Sequence, residues 1–141
     1  MTVSGAIIEW LKEFNPDDYQ KMQQIDTDMQ GPKVQTYSLV KEPVKNVKTY
    51  ISGKKVYTEH YMIQARLASN ANADRMDNVG FGEALEAYVE AQNKAGNYPA
   101  IPGAIVKDIG VTTPFYMGRT GANDSIYQMT IAIKYEKEDK L

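Results

Sequence analysis

The residues able to do chemistry are few and scattered. The chain has 141 residues, with no cysteine and one histidine, His60. No thiolate nucleophile, disulfide or cysteine-held metal is available, and a zinc site would rest on His60 and carboxylates alone. A serine–histidine–acid arrangement would have to be built around this one imidazole. His60 lies between Glu59 and Tyr61 in the run VYTEHYMIQARLAS (56–69). No partner or cleft is nominated for it. A histidine acyltransferase of the chloramphenicol-acetyltransferase type would show HxxxDG, whereas the residues after His60 read YMIQARL. His60 is therefore read as a structural residue on a half-wet sheet face. No catalytic residue, cofactor or metal ligand is assigned.

The remaining site-like strings have structural explanations. Ser52-Gly53-Lys54-Lys55 has the glycine and lysine of a phosphate loop but not the first glycine of GxxxxGK[ST] or the hydroxyl after the lysine; it reads as a hairpin turn. Gly80-Phe81-Gly82 suits close packing of a helix on a sheet. Asp17, Asp18, Asp26 and Asp28 lack the run of oxygen ligands ending in a glutamate that a calcium loop needs, so they read as an exposed acidic loop. The ten tyrosines and seven methionines supply core, and also area suited to protein interfaces.

Charge is segregated along the chain although the net charge is only −2. Residues 1–32 are acidic. Residues 33–55 carry six lysines against Glu42 alone, and residues 56–103 are acidic again. A block of this kind can steer or dock subunits, or it can be the lysine-rich edge strand that discourages sheet-to-sheet aggregation. Its interleaved Tyr37 and Tyr50 admit a nucleic-acid surface, against which the pI of about 5.4 argues.

The elements that must position these groups follow from periodicity. Val3, Ile7, Trp10, Leu11 and Phe14 form one stripe of a helix over 3–14, capped by Thr2 and ended by Asn15-Pro16. A short strand is expected between Ile25 and Met29. Strands are expected at 33–41 and 46–51, interrupted by Lys41-Glu42-Pro43, and a third at 56–69 completes a hairpin. In that third strand Tyr57, Tyr61, Ile63, Ala65 and Leu67 point one way. After a polar loop at 70–76, a second helix is expected from Asp77, its cap, to Ala95, with Phe81, Leu85, Tyr88, Val89 and Gln92 on one face and Gly96 as its stop. Strands at 104–111, 113–119 and 125–135 follow, then a charged tail, frayed from about residue 136. The expected fold class is α+β, one domain over 1–141: a single mostly antiparallel sheet with two amphipathic helices on one face, in the order α-βββ-α-βββ. With 43% hydrophobic and 24% charged residues the chain has a normal globular composition. No stretch approaches a membrane span, and the start MTVSGAIIEWLKEF lacks the basic region of a signal peptide.

Across nearly its whole length the chain resembles the tail-terminator, or minor capsid, proteins of siphovirus-like phages and prophages. The resemblance lies in SGAIIEWLKEF, in VKEPVKNVKTYISGKKVYTEHYMIQARLAS, in EALEAYVEAQN and in GVTTPFYMGRTGANDSIYQMTIAIKYEK. It implies a virion structural protein, not an enzyme, that forms a homo-oligomeric ring, usually a hexamer, free or only on the tail template. Such a ring caps the tail tube and provides the surface for head–tail joining. The implied partners are the tail-tube protein and the head connector protein, with no membrane and no specific nucleic acid. The implied location is the host bacterial cytoplasm during assembly, then the virion. Another head–tail connector or a tail-tube component is the alternative of the same class; a small-molecule-modifying enzyme or a nucleic-acid-binding module is the alternative of another. If a ring forms, Lys41, Lys45 and Lys48 on one side and Glu83, Glu86 and Glu90 on the other are candidate subunit contacts. Asn72, Asp74, Arg75, Arg119, Asn123 and Asp124, in the two polar loops, are candidates for tail or connector contact.

Overall fold

The computed structural model describes residues 2–22, 24–28, 35–121 and 123–138, without the side chain of Glu138. Among them the chain forms helix α1 (Val3–Lys12), strands β1 (Ile25–Thr27), β2 (Thr36–Thr49) and β3 (Lys54–Ala68), helix α2 (Asn72–Ala95), and strands β4 (Ile105–Thr120) and β5 (Asp124–Glu138). The strands make one sheet in the order β1-β2-β3-β5-β4. Neighbours are antiparallel except β1 and β2, which run parallel. The α+β class holds. The sheet is mixed, and the order is α-βββ-α-ββ, not α-βββ-α-βββ.

The difference in strand count has two parts: two pairs of expected strands are single strands with bulges, and the short strand at Ile25–Thr27 takes a place in the sheet as β1. Lys41 stands opposite Tyr61 and Lys45 opposite Glu59. β2 thus places Glu42, Pro43 and Val44 against His60 alone. This irregularity absorbs Pro43, whose missing N–H is tolerated on an edge. It inserts two residues, an even number, so Lys45 stays on the face of Lys41. In the same way β4 runs from Ile105 to Thr120 against β5 through four register shifts. Each shift breaks the period-2 pattern, so one edge strand looks like two.

Helix α1 begins as expected, with the Gly5 N–H donating to Thr2 Oγ1 at 3.0 Å. It ends at Lys12, and Phe14 is buried just beyond it. Helix α2 starts five residues earlier than expected. Asp77 lies inside it and does not cap it; Ala71 is the capping position, and its N–H donates to the Asp74 carboxylate at 3.4 Å. The first turn is mostly exposed, so it carries no apolar stripe. Hydrophobic periodicity reports which residues are buried, and an exposed turn leaves no such mark. Gly96, at φ +76°, ends the helix in the left-handed conformation that glycine adopts without strain.

One core joins both helices to one face of the sheet. Ile7, Trp10, Leu11 and Phe14 meet Phe81, Leu85 and Val89 above Tyr61, Ile63, Ala65, Tyr127, Met129 and Ile131. Phe14 lies 5.9 Å from Phe81 and 5.2 Å from Tyr88, ring to ring, and Trp10 lies 5.2 Å from Tyr88. Gly80 and Gly82 are where the second helix is approached most closely. A methyl on Gly82 would overlap the Phe115 ring of β4, and one on Gly80 would overlap the Tyr19 ring. The packing reading of this glycine pair is the observed one. β5 continues to Glu138, so the expected fraying from residue 136 is not observed there. Glu136 bonds Lys54 at 3.3 Å and Lys107 at 3.7 Å. Met29, Gly31-Pro32, Lys33-Val34 and residues 139–141 lie outside the described residues.

Candidate functional site

The lysine-rich block forms one edge of the sheet. β1 covers β2 only at Tyr37–Leu39, so Glu42–Thr49 is an open edge among the described residues. The β2–β3 hairpin closes at Tyr50–Lys54, where the Gly53 N–H donates to the Tyr50 carbonyl at 3.0 Å. Gly53 takes φ +90°, and the Ser-Gly-Lys-Lys string is the turn that was expected. Aromatic rings hold its ammonium groups in place. Lys45 Nζ lies 4.8 Å over Tyr57, Lys48 Nζ 5.3 Å over Tyr50, and Lys54 Nζ 5.1 Å over Tyr50. Around them Val44, Val47, Tyr50 and Ile51 are exposed, Ile51 completely.

Lys41 is different. Its Nζ is 2.9 Å from Glu59 Oε1, and Glu59 is 1% exposed. The Tyr135 hydroxyl donates to Glu59 Oε2. Burial on its own raises the pKa of Glu59, but the Tyr135 hydroxyl and the Lys41 ammonium outweigh it and hold the carboxyl below its ordinary value. The hydrogen bond to Glu59 in turn pushes Lys41 up, and burial, with Glu59 beside it, pushes Tyr135 up. Lys41 is thus engaged within its own chain, which leaves Lys45 and Lys48 as the outward members of the set. Sequence reasoning passed over Glu59. The available signal was its phase: it sits between Tyr57 and Tyr61 on the face that carries the core.

The glutamates lie at the other edge of the sheet. Glu83 and Glu90 are exposed on α2. Glu86 is half-buried, and its Oε1 accepts the Phe115 N–H at 3.1 Å. Between α2 and β4 runs a groove of about 400 Å³ lined by Arg75, Val79, Glu83, Glu86, Phe115 and Met117. Val79 is exposed in it. With β2 and β4 at opposite sides of the sheet, the basic and acidic sets do not meet within one chain.

The two groups of loop candidates come together at the end of the sheet away from the hairpin. Asn72, Asp74 and Arg75 form the first turn of α2, and Arg75 Nη1 donates to the Ser69 carbonyl at 2.7 Å. Ser69 N–H donates to the carbonyl of Asn123, in the β4–β5 turn, at 3.0 Å. The Ser69 and Ser125 hydroxyls lie 2.7 Å apart. Arg119 is exposed on β4, and Asp124 pairs with Arg66 at 3.1 Å.

His60 projects from the helix-free face, opposite Ala132, and its Nδ1 is buried with no hydrogen-bond partner among the described residues. The acidic loop serves the chain itself. Asp28 Oδ1 accepts the Lys41 N–H at 3.2 Å, and Asp26 Oδ1 accepts from Gln24 at 3.2 Å. Among the described residues no three His, Cys, Asp or Glu side chains converge as a metal site, and no helix is long and apolar enough to cross a membrane. On the helix-free face a ladder crosses the sheet: Ser38 to Gln64 at 3.4 Å, Gln64 to Gln128 at 3.5 Å, and Gln128 to the Tyr116 hydroxyl. No family model matches the chain, and no curated protein matches it at a significant level.

Proposed function

We propose that this chain is a phage virion structural protein of the tail-terminator type, whose copies join into a ring that caps the tail tube and receives the head connector. The observation that carries the reading is the unlikeness of the two sheet edges: basic with exposed apolar groups at β2, acidic beside an apolar groove at α2 and β4. Two unlike patches on opposite sides of a subunit are what a head-to-tail ring requires. The extended resemblance in wording supplies the tail context. The polar end bearing Asn72, Asp74, Arg75, Arg119 and Asn123 is then a surface for tube or connector; it lies away from the β2–β3 hairpin and meets the acidic edge at Arg75.

Electron microscopy of the purified protein mixed with tail tubes that lack their terminator tests the reading. The expected outcome is one added ring of density at a tube end and no further growth. Long polymers of the protein itself would instead make it a tube component, and bare tube ends would exclude the terminator role. Lys45→Glu with Lys48→Glu is expected to weaken the ring and leave the monomer folded, read by light scattering and circular dichroism. An unchanged oligomer would remove the lysine edge from the interface.

A further inference from the structure

We infer that the β2–β3 hairpin end of one copy docks into the groove between α2 and β4 of the next copy, with Tyr50 and Ile51 against Val79, Phe115 and Met117, and Lys48 facing Glu83. The inference rests on the ring reading above and names the contact that would build it. Three observations carry it. First, the hairpin end exposes Tyr50 and Ile51 side by side in the turn. A fully exposed isoleucine at a turn, next to an exposed tyrosine, is apolar surface that favours being covered. Second, the groove has the complementary character: Val79, Phe115 and Met117 are apolar, Glu83 and Glu86 lie on its helix side, and its one cation, Arg75, is turned to the Ser69 carbonyl of its own chain. Lys48 and Lys54 are both held over the Tyr50 ring, so two cations and an apolar ring form one surface at the hairpin end. Third, the two features lie at opposite edges of a single sheet. A hairpin cannot reach its own groove, and the contact between copies is heterologous, which closes rings or extends chains.

The patch is small beside the roughly 800 Å² per partner of a stable interface. One such contact is weak, and repetition around a ring or on a template strengthens it. Charge pairing fixes the register and rejects the alternative in which two basic hairpins meet.

The absence of cysteine from the chain makes a direct test available. Ile51→Cys with Val79→Cys is oxidised mildly, both free in solution and after mixing with tail tubes. Both positions are exposed, so folding is preserved. They cannot bridge within one chain, because a disulfide needs Cα atoms within about 7 Å. The expected result is a ladder of disulfide-linked chains longer than dimers, formed about tenfold faster than with the control pair Ile51→Cys and Asn70→Cys. Each single variant should stay monomeric. Lys48→Glu should slow the ladder, and adding Glu83→Lys should restore it. Absence of the ladder under both conditions, dimers from Ile51→Cys alone, or indifference to the charge swap would overturn the docking. Its failure is separable from that of the ring reading. Tubes capped without cross-linking would sink the docking and keep the terminator. Cross-linked chains that ignore tube ends would keep the docking and sink the terminator.

Discussion

Glu59 has its charge stabilised by two neighbours of different kinds. The Lys41 ammonium is half in solvent, whereas the Tyr135 hydroxyl is buried. The Glu59 pKa is lower in the folded chain than in the unfolded one, so its contribution to stability is complete above the ordinary carboxylate value of about 4.3. That contribution is lost as pH falls through the folded value. Glu59→Gln should therefore flatten the acid side of the stability curve and cost about 1–3 kcal/mol at neutral pH. Urea unfolding from neutral to acid pH checks this, and a variant whose curve parallels the parent's would refute it. Tyr88 gives the alkaline counterpart. Its hydroxyl donates to the Trp10 carbonyl at 2.7 Å, and burial, with Glu13 nearby, raises its pKa to about 12. A raised folded value means stability that is whole below about pH 10 and lost as pH rises through the folded value. Tyr88→Phe should remove that limb and cost about 1 kcal/mol below it.

Two elements approach closely because a side chain is missing. Helix α2 sits on β4 at Gly82, with the Phe115 ring where a methyl would go. Gly82→Ala should destabilise the fold by about 1–3 kcal/mol through overpacking, although alanine is the better helix former. Thermal unfolding monitored by circular dichroism reads the loss; a neutral or stabilising result would mean that Phe115 moves aside without cost. Bulges have a comparable role in the edge strands. Four register shifts in β4, and the Glu42–Val44 insertion in β2, interrupt the regular ladders that another strand would need for pairing. The edges are thereby made poor at strand addition, so association through side chains becomes the available route.

Across the whole molecule, β3 and β5 are each flanked by strands on both sides, and their inward residues make the centre of the core. Their amides near Ile63 and Met129 should exchange with solvent most slowly, close to the rate of global unfolding. Those at the open edge around Lys45–Thr49 should exchange orders of magnitude faster, by about tenfold per 1.4 kcal/mol of difference in opening free energy. Hydrogen exchange read by mass spectrometry maps this gradient. If the hairpin end docks on a neighbouring copy, its amides should gain protection on mixing with tail tubes, while the centre stays as it was.

By itself the sequence determined the α+β class, the start of the first helix at Thr2, the stop of the second at Gly96, the hairpin turn at Gly53 and the inward face of β3. Each of these is set by a local rule of caps, left-handed glycine or strict alternation, and such rules act over a few residues. The tertiary structure decided the rest. Whether Pro43 and the irregular stretch 111–119 end a strand or bulge it depends on the partner strand, which local pattern does not contain. The first turn of α2 is helical because the rest of the helix holds it, with no buried face to announce it. Lys41 looked like a free surface charge until β2 was paired with β3, which brought it to Glu59. The separation of the lysine and glutamate sets onto opposite edges is a property of strand order. It comes from contacts distant in sequence, and no spacing along the chain expresses it.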